Sequence, residues 1–157
     1  MPNQHIQRKQ RSRQDPPQMV PRAVAGEPDL VQVDTTWGEL QPMEPAPGVR
    51  ALGELEVIEH IQQGRPVVDS RTAGFHADAT LPGALNIPYA EAVDRVQELD
   101  RSRPTLLFCN GPQCPQSPTA IHALLEAGYP ADRILYYRGG MHAWRTLGLP
   151  TEPGEPD

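Results

Sequence analysis

Between about residue 50 and residue 148 the chain alternates short apolar runs with stretches of helical spacing. Residues 53–63 place Leu55, Ile58 and Ile61 three apart, and Gly64 supplies a stop, which predicts a helix. Pro66-Val67-Val68-Asp69 reads as a short buried strand ending in an acid. Leu81-Pro82-Gly83-Ala84 is a turn into a second strand, Leu85-Asn86-Ile87, closed by Pro88. Residues 89–99 have helical spacing, with Ala92, Val93 and Val96 directed inward. Residues 105–109 are a third strand, residues 118–127 a helix stopped by Gly128, and residues 134–137 a fourth strand. Gly139-Gly140 then turns into a last short helix carrying Trp144. This alternation predicts an α/β domain over residues 49–149, with a central parallel sheet and helices on both faces.

The two ends have a different texture. Residues 1–48 hold eight prolines and little hydrophobic periodicity, so they are expected to be a Pro-rich, largely disordered extension. Val31, Val33 and Trp37 are its candidates for folding back on the domain. Arg8, Lys9, Arg11 and Arg13 make it locally basic, which reads as a solvated tail. Residues 150–157, with three prolines, are expected to be a disordered end.

Composition narrows the function classes. A net charge of -6 argues against a nucleic-acid partner, which calls for a basic face. No apolar run is long enough for a membrane span, and the first ten residues show no secretory h-region. A monomer in the cytoplasm is expected, or in the periplasm if a signal segment has been removed. The two cysteines, Cys109 and Cys114, lie in one loop, which suits a reactive site better than a staple.

That loop carries the candidate chemistry. The strand Leu106-Leu107-Phe108 stops at Cys109, and Asn110, Gly111, Pro112, Gln113, Cys114, Pro115 and Gln116 lead to Ser117-Pro118. Ser117 is the expected N-cap and Pro118 the first helical residue. A strand-to-helix loop aims several backbone N–H groups at one spot, at the positive end of the helix dipole. Cys109 is therefore expected to titrate below a free thiol and to be the nucleophile. In an open α/β sheet this is also where ligands bind. Gly111 is expected to supply a positive φ or a close backbone approach, and Gln113 and Gln116 to be anion donors or water-facing. A zinc site is disfavoured: four residues separate the cysteines, and His122 and His142 lack ligand spacing. No metal or cofactor is expected.

Three blocks of the sequence resemble the rhodanese-like domain family. They are Val67-Val68-Asp69-Ser70-Arg71, then Leu81-Pro82-Gly83-Ala84-Leu85-Asn86-Ile87-Pro88, and finally Leu107-Phe108-Cys109 with Gly128-Tyr129 and Gly139-Gly140-Met141-His142-Ala143-Trp144. The resemblance implies a thiol, at Cys109, that takes sulfane sulfur from a donor such as thiosulfate and holds it as a persulfide. The sulfur then passes to a thiophilic acceptor. It also implies a substrate-binding loop of Asn110, Gly111, Pro112, Gln113, Pro115, Gln116 and Ser117. The chain departs from the family pattern in three places. Ser117 follows Cys109 by eight residues, so the loop is about two longer; no Arg or Lys stands inside it; and Thr80 replaces a His that often precedes the Pro-Gly-Ala block. Cys114 stands where the family's loop arginine would be.

The partner expected on this reading is a small sulfur-containing anion or a protein persulfide. Lacking a bidentate guanidinium, the loop is expected to use thiosulfate poorly. Asp69 and Arg71 are expected to pair and steady the strand end, and Arg138 to be the cation nearest the pocket from outside the loop. Trp144 and Tyr129 are expected to pack. Cys114 is open between a resolving thiol, a persulfide relay, the nucleophile itself and loop filler. Two other functions stay open: a redox switch that pairs Cys109 with Cys114, and a non-catalytic binding module. Phosphatase chemistry, known on the related fold, lacks its loop arginine here.

Overall fold

The computed structural model describes residues 6–10, 22–35 and 39–155. Its centre is a five-stranded, all-parallel sheet in the order β4-β8-β7-β5-β6. The strands are β4 (Arg50–Ala51), β5 (Val67–Asp69), β6 (Leu85–Asn86), β7 (Thr105–Phe108) and β8 (Ile134–Tyr137). Every residue of β5 and β7 is buried, as continuous apolar runs in a doubly covered parallel sheet should be. Period-two alternation divides their side chains between two cores. Val68, Leu107 and Tyr136 face α3 (Gln116–Glu126) through Ala120, Ile121 and Leu124. Val67, Leu106, Phe108 and Tyr137 face the opposite side, against Val57 of α1 (Glu54–Gln62) and Met141 and Trp144 of α4 (Gly140–Thr146).

The expected α/β architecture is therefore present, with local differences. In α1 the buried residues are Val57 and His60, while Leu55 is exposed. A short helix, α2 (Ala73–Asp78), was not anticipated; at six residues it is too short to show a periodic stripe. Residues 89–99 form two 3₁₀ turns, Tyr89–Glu91 and Val96–Glu98, instead of one helix. These turns bury Ala92 but leave Val93 40% exposed. Arg95 braces them from outside through Glu91 and Glu98.

Both expected tails contain ordered structure. Ile6–Gln10 (β1), Arg22–Val24 (β2) and Glu27–Thr35 (β3) make a small sheet in the order β1-β3-β2. The alternation Val31-Gln32-Val33-Asp34 is a strand pattern that the surrounding prolines obscure. Trp37, Arg11 and Arg13 lie outside the described residues. The packed domain begins before residue 49, because Pro45 and Ala46 are buried. The Pro45 carbonyl accepts from His122 Nε2 at 2.6 Å, and the Gln41 N–H donates to the Pro112 carbonyl at 2.7 Å. At the other end, Pro150 O accepts from Trp144 Nε1 at 2.7 Å. Glu152 and Thr80 exchange both backbone hydrogen bonds, and the Gly154 N–H donates to His76 O. Unpaired backbone groups in these segments thus find partners on the domain, which composition does not reveal. Among the described residues, no helix is long and apolar enough to cross a membrane.

These contacts separate two truncations. Removing residues 1–38 is expected to leave the melting midpoint almost unchanged, since the ladders of β1–β3 run only among themselves. Removing residues 1–48 takes away buried Pro45 and Ala46 and several hydrogen bonds, and should lower the midpoint by roughly 5–15 °C in calorimetry.

Candidate active site

The carboxyl ends of β5 and β7 are set by one buried carboxylate. Asp69 is fully buried, and its oxygens accept from Arg71 N (3.0 Å), Arg71 Nε (2.9 Å), Arg71 Nη2 (2.7 Å) and Thr80 Oγ1 (2.9 Å), with His76 Nδ1 at 3.0 Å. Burial pushes this carboxyl up, but the hydrogen bonds from His76 and Arg71 and the Arg71 charge outweigh it and hold the group below its ordinary value. The expected Asp69–Arg71 pair is present and fully desolvated. Arg71 also donates to Ala79 O at 2.5 Å and lies over the Phe108 ring, 5.9 Å from its centre. Thr80, which stands where the resemblance implies a His, donates to Asp69, and His76 of α2 supplies a further donor.

From β7 the chain enters the cysteine loop. Ser70 N donates to Phe108 O at 2.9 Å, and the Ser117 hydroxyl donates to the Ser70 hydroxyl at 3.0 Å, so β5 grips both ends of the loop. The helix starts at Gln116, two residues earlier than expected, with Pro115 before it. Ser117 therefore lies in the first turn instead of capping it. Pro118 is tolerated there because that turn has no use for its amide. The start of α4 closes the other side: Met141 N donates to Cys109 O at 3.0 Å and His142 N to Asn110 O at 2.8 Å. Gly140, at φ 59°, has no room for a side chain, since a Cβ would overlap the Cys109 carbonyl. Gly111 serves by close approach, not by a left-handed backbone: a Cβ there would sit 3.1 Å from His142 Cβ.

Inside this frame lie the two thiols, Cys109 at 2% and Cys114 at 6% exposure. Cys109 Sγ accepts the Ser117 N–H at 3.4 Å and points its own S–H toward Cys114 O at 3.5 Å. Burial and the neighbouring Cys114 push the Cys109 thiol well above its ordinary value; the Ser117 donors only partly oppose this. Cys114 goes the other way. A hydrogen bond from Cys109, opposed by burial and helped by the backbone N–H groups of Gln116 and Asn110 and by the Arg71 charge, brings it down to about 7. Burial thus works against the expectation that Cys109 titrates below a free thiol, and the lowered thiol of the pair is Cys114. The longer loop brings Cys114 back beside Cys109, with Cys109 the more deeply buried of the two.

The rest of the expected loop falls into place around them. Gln116 Oε1 lies 3.5 Å from Cys114 Sγ, Pro112 O holds Gln41, Pro112 and Gln113 are half-buried, and Pro115 is exposed. Arg138 does not reach in: its Nε donates to Gln41 O at 2.6 Å and an Nη lies 3.4 Å from Met43 Sδ, so it fastens the 41–43 segment. Ser70 and Tyr136 were not singled out from sequence. Ser70 lies inside the Val-Val-Asp-Ser-Arg block, and nothing in the pattern marks Tyr136 except its place on a central strand.

Residues 55–147 match the profile of the rhodanese-like domain. The chain belongs to the rhodanese-like domain family. It is 34% identical over 107 residues to an HTH-type transcriptional regulator of Mycobacterium tuberculosis, covering 68% of this chain and 46% of that protein. The chain thus spans under half the length of this relative. A sulfurtransferase of Allochromatium vinosum is 33% identical over 84 residues, which cover 54% of this chain and 75% of that one. The crystal structure of a thiosulfate sulfurtransferase from Pseudomonas aeruginosa superposes with a TM-score of 0.57 at 26% identity, over 69% of this chain and 21% of that chain.

Two measurements check the electrostatics. Iodoacetamide should titrate one fast thiol with a midpoint near about 7, at Cys114, and Cys109→Ala should move that midpoint upward by removing the S–H donor. Asp69→Asn should cost about 3–5 kcal/mol at neutral pH, because it leaves Arg71 buried without its counter-charge. The folded carboxyl titrates below the unfolded one, so its contribution is present above about pH 3.9. It is lost as pH falls through the folded value, and the gap between Asp69→Asn and the native protein should close there in acid-unfolding curves.

Proposed function

We propose that this chain is a sulfurtransferase that carries sulfane sulfur as a persulfide on the Cys109–Cys114 pair, with Cys114 as the attacking thiolate. Membership of the rhodanese-like domain family and the sulfurtransferase relatives support the reaction class. The assignment to Cys114 is supported by the lowering of its thiol, caused by the adjacent Cys109 thiol and, against burial, by the Gln116 and Asn110 backbones and the Arg71 charge. Cys109, with its own S–H toward Cys114 O, is the more deeply buried of the two. In the first step the Cys114 thiolate attacks the outer sulfur of the donor. A Cys114–sulfur bond forms, the donor's S–S bond breaks, and the leaving group departs with the electron pair, as sulfite does from thiosulfate. In the second step a thiophilic nucleophile attacks the terminal sulfur and Cys114 leaves as the thiolate, so no external oxidant or reductant is consumed.

The loop offers amide and S–H donors but no guanidinium, and the nearest cation, Arg71, is already paired with Asp69. A dianionic donor entering so buried a site carries more charge than these groups offset. A polysulfide or a protein persulfide is therefore the preferred donor and thiosulfate a poor one. A second reading keeps Cys109 as carrier, since the sheet fixes its backbone and Ser117 N–H points at its sulfur. It is decided by the same experiment.

Intact-mass spectrometry after exposure to inorganic polysulfide should show the gain of one sulfur atom, with slower gain from thiosulfate. Cys114→Ser should abolish the gain and Cys109→Ser should retain it at a reduced rate. The opposite pattern assigns the persulfide to Cys109, and no gain in the native protein overturns the sulfurtransferase reading.

A further inference from the structure

Two buried polar side chains beside the thiols have no hydrogen-bond partner among the described residues. Both side-chain atoms of Asn110, which is 3% exposed, and the hydroxyl of Tyr136, which is fully buried, are unpaired. A buried donor left unpaired is costly, and native folds rarely keep several within one site without a use for them. Their positions follow from the sheet. Tyr136 on β8 stands opposite Leu107 on β7, and both belong to the core that faces α3. Cys109 is two residues beyond Leu107, so period-two alternation brings it to the same face, diagonal to Tyr136 and within reach of a long aromatic side chain. The charges of both thiols are felt at the Tyr136 hydroxyl, and the Arg138 charge opposes them there. Burial, then Cys109 and Cys114, push that hydroxyl upward, so it remains a protonated donor. Asn110 follows Cys109 directly, and its backbone is among the groups that lower the Cys114 thiol.

We propose that the Tyr136 hydroxyl and the Asn110 side-chain amide are the donors for the terminal sulfur of the persulfide, and so define a binding site for one sulfur atom beyond the resting thiols. This rests on the sulfurtransferase reading above. Neutral donors suit a small, soft, singly charged sulfur: they steady the anion without fixing it as tightly as a permanent cation does. Acceptance of a hydrogen bond favours the ionised persulfide over its protonated form, which keeps the outer sulfur ready for transfer. In the unloaded protein the Tyr136 hydroxyl makes no hydrogen bond among the described residues. Removing it should therefore not weaken the fold.

The test uses the full chain and inorganic polysulfide as the probe, with Tyr136→Phe and Asn110→Ala beside the native protein. Each loaded protein is alkylated across a pH series, and the unloaded proteins are melted. Both variants should take up sulfur. In Tyr136→Phe the midpoint for persulfide alkylation should rise by about one pH unit, roughly a tenfold loss of the anion below it, and Asn110→Ala should shift it in the same direction. The unloaded Tyr136→Phe protein should melt at or above the native temperature. The inference is overturned if both loaded variants titrate as the native protein does, or if unloaded Tyr136→Phe melts several degrees lower. Native protein that takes up sulfur while the variants titrate normally removes only this inference. Native protein that takes up none removes the sulfurtransferase reading with it.

Discussion

A charge placed entirely out of water has to be answered by its surroundings, and Asp69 is such a charge. Its partners come from four places: Arg71 from the turn after β5, His76 from α2, Thr80 from the turn before β6, and Asn86 of β6, which donates to the Asp69 carbonyl at 3.0 Å. The backbone of Thr80 in turn holds Glu152, so even the C-terminal segment is tied to this anion. A guanidinium spent on Asp69 and on Ala79 O has a fixed direction. It cannot swing to meet a ligand, yet its positive field still reaches Cys114.

The same frame reaches the thiols through short links. Ser70, next to Asp69, receives the Ser117 hydroxyl and donates its own N–H to Phe108 O. The start of α4 presses on the opposite side of the loop, through backbone atoms alone, where Gly140 leaves no side chain in the way. The loop is thus gripped by β5, β7, α3 and α4 at once. Preorganised donors stabilise an anion because they need no reorganisation when charge arrives, and rigid backbone amides meet that condition well.

The sheet and its covering helices were legible in the sequence because β5 and β7 are continuous apolar runs and because α3 and α4 carry glycine stops or starts. The cysteine loop was legible as a site for the same local reason. What escaped was everything decided at long range. The six residues of α2 are too few for a periodic signal, and residues 89–99 have enough apolar positions for a helix but form two 3₁₀ turns, the first of them packed on α3. The segments beyond residues 49–149 are held by partners such as His122, Pro112 and Thr80, which lie far away along the chain. The order of the thiol acidities also escaped. Spacing identifies two cysteines in one loop, but only the fold shows that burial raises Cys109 while the Gln116 and Asn110 backbones and the Arg71 charge lower Cys114.

That ordering bears on how a loop without a cation manages sulfur chemistry. A loop guanidinium supplies a permanent positive charge and so tolerates a doubly charged donor. In the proposed reaction the counterweight to a Cys114 anion is the neighbouring Cys109 thiol, which burial keeps protonated. A neutral thiol beside it steadies one negative charge and resists a second, because a further ionisation would set two buried anions side by side. The proposed reaction keeps within that limit when the donor delivers sulfur without adding charge to the pocket. A persulfide held on another protein meets this condition, since its leaving thiolate stays on the donor and outside the buried site. On the proposed reading, the second cysteine takes over part of the electrostatic role of a loop arginine while narrowing the donors that the loop accepts.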